Sequence, residues 1–219
     1  LIDAVGMVLG IWGLGTLIYE GVLYWKESLG EKYKNLFSIS ANFHAIKDSF
    51  FHTWFKANGE GCDYPGEYGS FYRFYWHFSL FLGMILDLLA TIIAAYEQDI
   101  MHTLPFYPIL SIPVLLGILG GILILVGVIS LLVLKKLSSK ELIDNVWLEI
   151  DSSMLYLLML IALSGFSLLL LRNFPYEGLL FVVHISLVAT LFTIAPYSKL
   201  THMFFRYLAI LHYYVLKYV

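Results

Sequence analysis

Charge is what this chain has least of. Asp, Glu, Lys and Arg make up 13% of its 219 residues, against 60% hydrophobic, and a soluble domain carries about twice that charge. A water-soluble globule is therefore excluded, and a net charge of −3 gives no reason to expect nucleic acid as a partner. Cysteine is nearly absent. The single Cys62 rules out an internal disulfide framework and any iron–sulfur cluster held by cysteines of this chain alone. The sequence also lacks a charged leader followed by a cleavage pattern. It begins at Leu1 inside an apolar run, so it is read as part of a longer protein rather than as starting on a signal peptide. No internal repeat or low-complexity stretch is visible, which removes the inverted-repeat signature of many transporters.

What remains is a series of long apolar runs. Five are long enough to cross a bilayer, at about 1–25, 77–96, 107–134, 154–171 and 179–197. The expected fold is all-α, a multi-pass transmembrane helical bundle of about five spans plus an interfacial amphipathic helix. Basic residues alternate between the links. Lys26, Lys32, Lys34, Lys47, Lys56, Arg73, Lys135, Lys136, Lys140, Lys199, Arg206 and Lys217 fall on one side and only Arg172 on the other, which accounts for all 13. By the positive-inside rule the link 26–76, the link after the third span and the C-terminus face the cytoplasm, and Leu1 lies outside. The setting is a cytoplasmic membrane, or alternatively the mitochondrial inner membrane.

Within the first link, 37–55 reads as an amphipathic helix with Phe43, Ile46, Phe50, Phe51 and Trp54 on one broad face, suited to lying flat on the membrane interface. The stretch 59–69 is a turn-rich loop, and 143–153 reads as an inward extension of the fourth helix. Gly117-x-x-x-Gly121 in the third span offers a small-residue face for close helix packing.

The chemistry rests on histidines. His184 and His202 are 18 residues apart, five turns and about 27 Å of helix, with both imidazoles pointing the same way. That pattern suits axial ligation of haems stacked across a membrane, since intramembrane imidazole usually has a function. His77 opens the second span at the same depth as His202, so the two are read as ligands of an inner haem b. His184 lies near the outer face. Either it holds a second haem with His102 or with a residue outside this chain, or it serves a quinone. Asp87, ten residues after His77, is the one carboxylate deep in a span and could relay protons to quinone. Lys199 and Arg206 lie three before and four after His202, flanking it on one face as cations for haem propionates. The plainer reading of each is an interfacial or packing residue.

The segment Pro108-Ile109-Leu110-Ser111-Ile112-Pro113-Val114-Leu115-Leu116-Gly117, then Gly120-Gly121, the loop Gly61-Cys62-Asp63-Tyr64-Pro65, and His184-x17-His202 around Ala195-Pro196-Tyr197-Ser198-Lys199 resemble the membrane subunit of the tricarballylate/citrate utilisation family. More distantly, the histidine spacing resembles the gamma subunit of respiratory nitrate reductase, a dihaem cytochrome b with histidine pairs ten and eighteen apart. Here Asp87 stands at the second position of the ten-residue pair. The resemblance implies an upstream iron–sulfur region, a flavoprotein dehydrogenase carrying FAD on the cytoplasmic side, and electron transfer through haem b to membrane quinone. The rival class is a haem-free structural anchor or a transporter subunit.

Overall fold

A computed structural model describes residues 2–29, 35–54, 62–63, 69–102, 107–137 and 145–218, with 2–5, 7, 29, 62–63 and 145–151 described by backbone alone. Seven helices follow in order: α1 (Ile2–Leu29), α2 (Ile39–Phe50), α3 (Tyr72–Asp99), α4 (Ile112–Leu137), α5 (Asn145–Leu170), α6 (Glu177–Ile194) and α7 (Thr201–Tyr218). A two-residue antiparallel pair, β1 (Cys62–Asp63) with β2 (Gly69–Ser70), sets Cys62 opposite Ser70. The rest of the loop 59–69, and Lys32, Lys34, Lys56 and Lys140, lie outside the described residues.

The fold is an all-α, multi-pass helical bundle. Among the described residues, five helices are long and apolar enough to cross a membrane, over Val8–Ser28, Tyr72–Asp99, Ile112–Leu137, Ser152–Leu170 and Glu177–Tyr197. These correspond to the five spans expected from the sequence, with shifted bounds, most clearly at the starts of α3 and α4. α3 begins earlier because its aromatic entry residues continue the helix. α4 begins later because Pro108–Ser111 forms a turn, closed by Ser111 N–H donating to Pro108 O; Pro113 then sits in the first helical turn, where its missing N–H costs nothing. The helical extension expected ahead of the fourth span is present from Asn145 as the start of α5.

Two expectations are corrected. The fifth span does not run unbroken from His184 to His202. α6 ends at Ile194, Ala195–Tyr197 forms a 3₁₀ turn with Pro196 near its start, Ser198 is extended, and a new helix opens at Thr201. Proline cannot donate to the helical ladder and clashes with the preceding turn, so the two histidines occupy different helices and the five-turn argument for their common face fails. Lys199 correspondingly precedes α7 rather than sharing a helical face with His202 and Arg206.

The chain divides into two compact units, Leu1–Glu60 with Ala189–Val219, and Gly61–Val188. In the first, Ala41 and Ala45 are fully buried against Leu208, Leu211 and Val215, with Trp25 of α1 in the same cluster. Two alanines one turn apart let α2 approach α7 closely. The hydroxyls of Tyr207 and Tyr214 donate to Asn42 Oδ1 and Asp48 Oδ2, the latter at 2.6 Å. Partner numbers rise together, so α2 and α7 run parallel. The opposite face of α2 exposes Phe43, Ile46 and Phe50, part of the apolar stripe read from the sequence, while Trp54, half-exposed, turns back onto Tyr213 of α7.

In the second unit, α3 and α4 meet through missing side chains. A Cβ built on Gly83 would stand 2.7 Å from Gly120 O, and one on Gly127 would stand 2.7 Å from Leu80 N and 2.9 Å from Trp76 O. The Ser79 hydroxyl crosses the same seam to Leu123 O at 3.0 Å. Gly121 faces the ring of Phe166 on α5, while Gly117 has nothing within 4 Å. The close-approach face on α4 is therefore Gly120 with Gly127, two turns apart, rather than the expected Gly117 with Gly121.

Candidate functional site

In the second unit, His184 projects from α6 toward α5. Its Nδ1 is 2.8 Å from the Ser164 hydroxyl oxygen, and that hydroxyl also reaches Ile161 O at 2.8 Å. Gly165, the next residue of α5, faces the imidazole edge; a Cβ there would stand 3.3 Å from Cε1. His184 is thus held by a specific polar partner on the neighbouring helix. His77 is half-buried in the second turn of α3. His102 follows α3 as an exposed residue in the left-handed region, φ 53°, and among the described residues no hydrogen bond or ring contact joins it to His184.

Asp87 lies in the middle of α3, and its carboxyl rests against α4 at Gly120, where a Cβ would collide with Oδ1. Only glycine leaves room for that carboxyl in the seam. Its own carbonyl accepts from Thr91 at 2.9 Å.

In the first unit, His202 opens α7, exposed, and its Nδ1–H donates to Lys199 O. A carbonyl only accepts, so Nδ1 carries a proton. Arg206, half-buried, follows one helical turn later; burial pulls its pKa below the ordinary value. Sequence reasoning missed His52. It is 4% exposed, sits at φ 51°, and donates from Nδ1 to Phe50 O at 3.0 Å. Burial, and then the nearby charges of Arg206 and His202, hold its pKa below 6.5 against the raising effect of the Phe50 bond. A positive φ at a residue other than glycine or asparagine carries no signature in one sequence, so nothing there marked it.

Also unforeseen was the polar lock between α2 and α7. Asp48 accepts from Tyr214 and from Trp54 Nε1 at 3.1 Å. Burial pushes its carboxyl up, but the bonds from Tyr214, Trp54 and Thr53, with Lys47 beside it, outweigh that and leave it below its ordinary 3.8. The same bond, with burial and the Asp48 charge, raises Tyr214 to about 12. Among the described residues no three His, Cys, Asp or Glu side chains gather into a metal cage. Axial ligation of a haem asks the protein for only two nitrogens.

These features define a multi-pass membrane helical bundle with histidines placed on separate elements. The sequence matches the family of citrate utilization protein B over residues 4–217, and the chain belongs to that family. It is 30% identical over 197 residues to Citrate utilization protein B of Escherichia coli, an alignment covering 88% of this chain and 50% of the relative. The chain therefore spans about half the length of the curated relative it matches. No solved structure matches it.

Proposed function

We propose that this chain is the membrane-embedded electron-transfer part of a protein serving citrate utilisation. It would hold haem b and pass electrons between a cytoplasmic-side flavoprotein and iron–sulfur partner and membrane quinone. Family membership supports the citrate-linked setting, and the five spans support the membrane role. The observation that carries the haem reading is His202. Its Nδ1–H is held by a backbone carbonyl, which orients the ring and would leave Nε2 for iron when the imidazole is neutral. Arg206, one turn on, offers a guanidinium of the kind that pairs with a propionate.

His77 is assigned as the second inner ligand on the depth argument, and His184 as the ligand of an outer site. Bound haem would supply a one-electron store between two-electron partners. The chain's own residues would supply two imidazole nitrogens, a propionate-binding cation in Arg206, and a proton-exchanging carboxyl in Asp87 for quinone.

The test is a reduced-minus-oxidised spectrum of the purified full-length protein. Wild type is expected to show a b-type haem signal that His77→Ala and His202→Ala remove while the protein still inserts. A wild-type protein without haem would return the chain to a structural anchor. Asp87→Asn is expected to slow quinone reduction and leave haem reduction by the donor intact.

A further inference from the structure

We infer that Ser164 is the positioning residue that makes His184 a metal ligand through Nε2, and that this favours ligation over donation to a quinone carbonyl through that nitrogen. The inference rests on the haem reading above and deepens it at one site. The Ser164 oxygen is 2.8 Å from two groups, Ile161 O and His184 Nδ1. A hydroxyl has one proton, and Ile161 O can only accept. If Ser164 donated to Nδ1, the 2.8 Å approach to the carbonyl would set two oxygens together with no hydrogen between them. The imidazole also hydrogen-bonds Ile161 O, so a proton on Nδ1 meets two acceptors, Ile161 O and Ser164 Oγ, while Ser164 O–H donates to Ile161 O. The lone pair then lies on Nε2.

That tautomer favours ligation over donation to an oxidised quinone. A quinone carbonyl needs a donor, and Nε2 in this form is an acceptor. Iron needs a lone pair, and Nε2 has one. The serine does for this imidazole what a carboxylate or backbone carbonyl does for other metal-bound histidines: it fixes the tautomer and the ring plane. Gly165 completes the setting. Its missing side chain lets the ring edge between the two nitrogens lie against α5, where a Cβ would stand 3.3 Å from Cε1. Hydroxyl on one nitrogen and helix backbone along one edge leave the ring little freedom about its own axis.

The test compares full-length wild type with Ser164→Ala, Ser164→Thr, Ser164→Cys and His184→Ala. Each is scored for haem content, haem retention against apomyoglobin, and midpoint potential by redox titration. Isotope-labelled histidine NMR of the haem-free protein adds a readout independent of cofactor. Ser164→Ala is expected to weaken haem retention at one site by roughly 10-fold or more and to shift its potential. Ser164→Thr, which keeps the hydroxyl, should stay within about twofold of wild type by the same reasoning. Ser164→Cys preserves size with a poor acceptor and should follow Ala, so it decides the matter if Ala fails to insert. In wild type the NMR signal of His184 should report a protonated Nδ1. Haem lost in His184→Ala but retained at wild-type strength in both Ser164→Ala and Ser164→Cys would overturn the role of Ser164 and leave the haem reading standing. A protonated Nε2 at His184 would overturn the tautomer. Haem content unchanged in His184→Ala would overturn ligation by His184 itself.

Discussion

The α3–α4 seam and the α2–α7 pair solve the same problem, holding two helices together, by opposite means. The seam is made by absence. Gly83, Gly120 and Gly127 bring backbone to backbone, with the single hydroxyl of Ser79 crossing over. The pair is made by presence. Tyrosine hydroxyls reach an amide and a carboxylate, and His44 stacks on Tyr214 at 5.2 Å. The difference follows from the solvent each helix meets. In lipid, helix association gains nothing from burying apolar groups, so close van der Waals approach through small residues has to suffice. α2 and α7 have one polar and one apolar side each, and their polar groups find partners across the interface while the apolar stripe of α2 stays exposed.

The comparison can be broken most forcefully at the seam. Gly127→Ala would drive a Cβ to within 2.9 Å of backbone atoms of α3, which cannot move aside as a side-chain tip can. A loss of about 2 kcal/mol or more is expected, read as a lowered unfolding midpoint in bicelles. Gly117→Ala, with open space around it, should change the midpoint by less than about 0.5 kcal/mol. Equal effects at the two positions would remove the seam from the account.

Tyr214→Phe tests the other partner. It deletes the donor to Asp48 and leaves Trp54 in place, for an expected loss of about 1–2 kcal/mol, measurable by denaturant titration. A smaller, pH-dependent effect is expected at His52. Its folded pKa lies below the ordinary 6.5, so the unfolded chain takes the proton first as pH falls. The stabilisation is complete above about pH 6.5 and is lost as pH drops through the folded value. His52→Gln should flatten that part of the stability profile relative to wild type. The smallest effect belongs to the exposed stripe. Ile46→Ser should leave stability in detergent within about 0.5 kcal/mol, while a nitroxide at Ile46→Cys should report contact with lipid rather than water.

Long apolar runs made the five spans legible, because a helix in lipid must be apolar over its full length whatever it packs against. The amphipathic stripe of α2 was equally plain. α7 was read as a tail because Tyr, His, Arg and Lys dilute its hydropathy. Its signal was periodic instead: Phe204, Leu208, Leu211 and Val215 recur at helical spacing and form the buried side. Choosing Gly117 over Gly127 was a failure of facing, since small residues mark a possible contact but not which turn meets the partner. The unbroken helix through Pro196 was the costlier error, because spacing along a sequence measures distance only while the helix lasts. Ser164 was invisible for a simpler reason. A serine within an apolar span bonds its own helix by default, and only the placement of His184 beside it gives the oxygen a second partner.

Asp87 lies fifteen residues after Tyr72 and twelve before Asp99 in a helix that spans Tyr72–Asp99, so its carboxyl sits near the electrical midpoint of the membrane. A proton arriving there from either face crosses roughly half the transmembrane field. Each 100 mV across the bilayer then biases its occupancy by about 1 kcal/mol, several-fold in population. Wedged where Gly120 leaves room for it, this carboxyl would respond to membrane voltage as well as to pH, and an energised membrane would set its protonation differently from a detergent micelle.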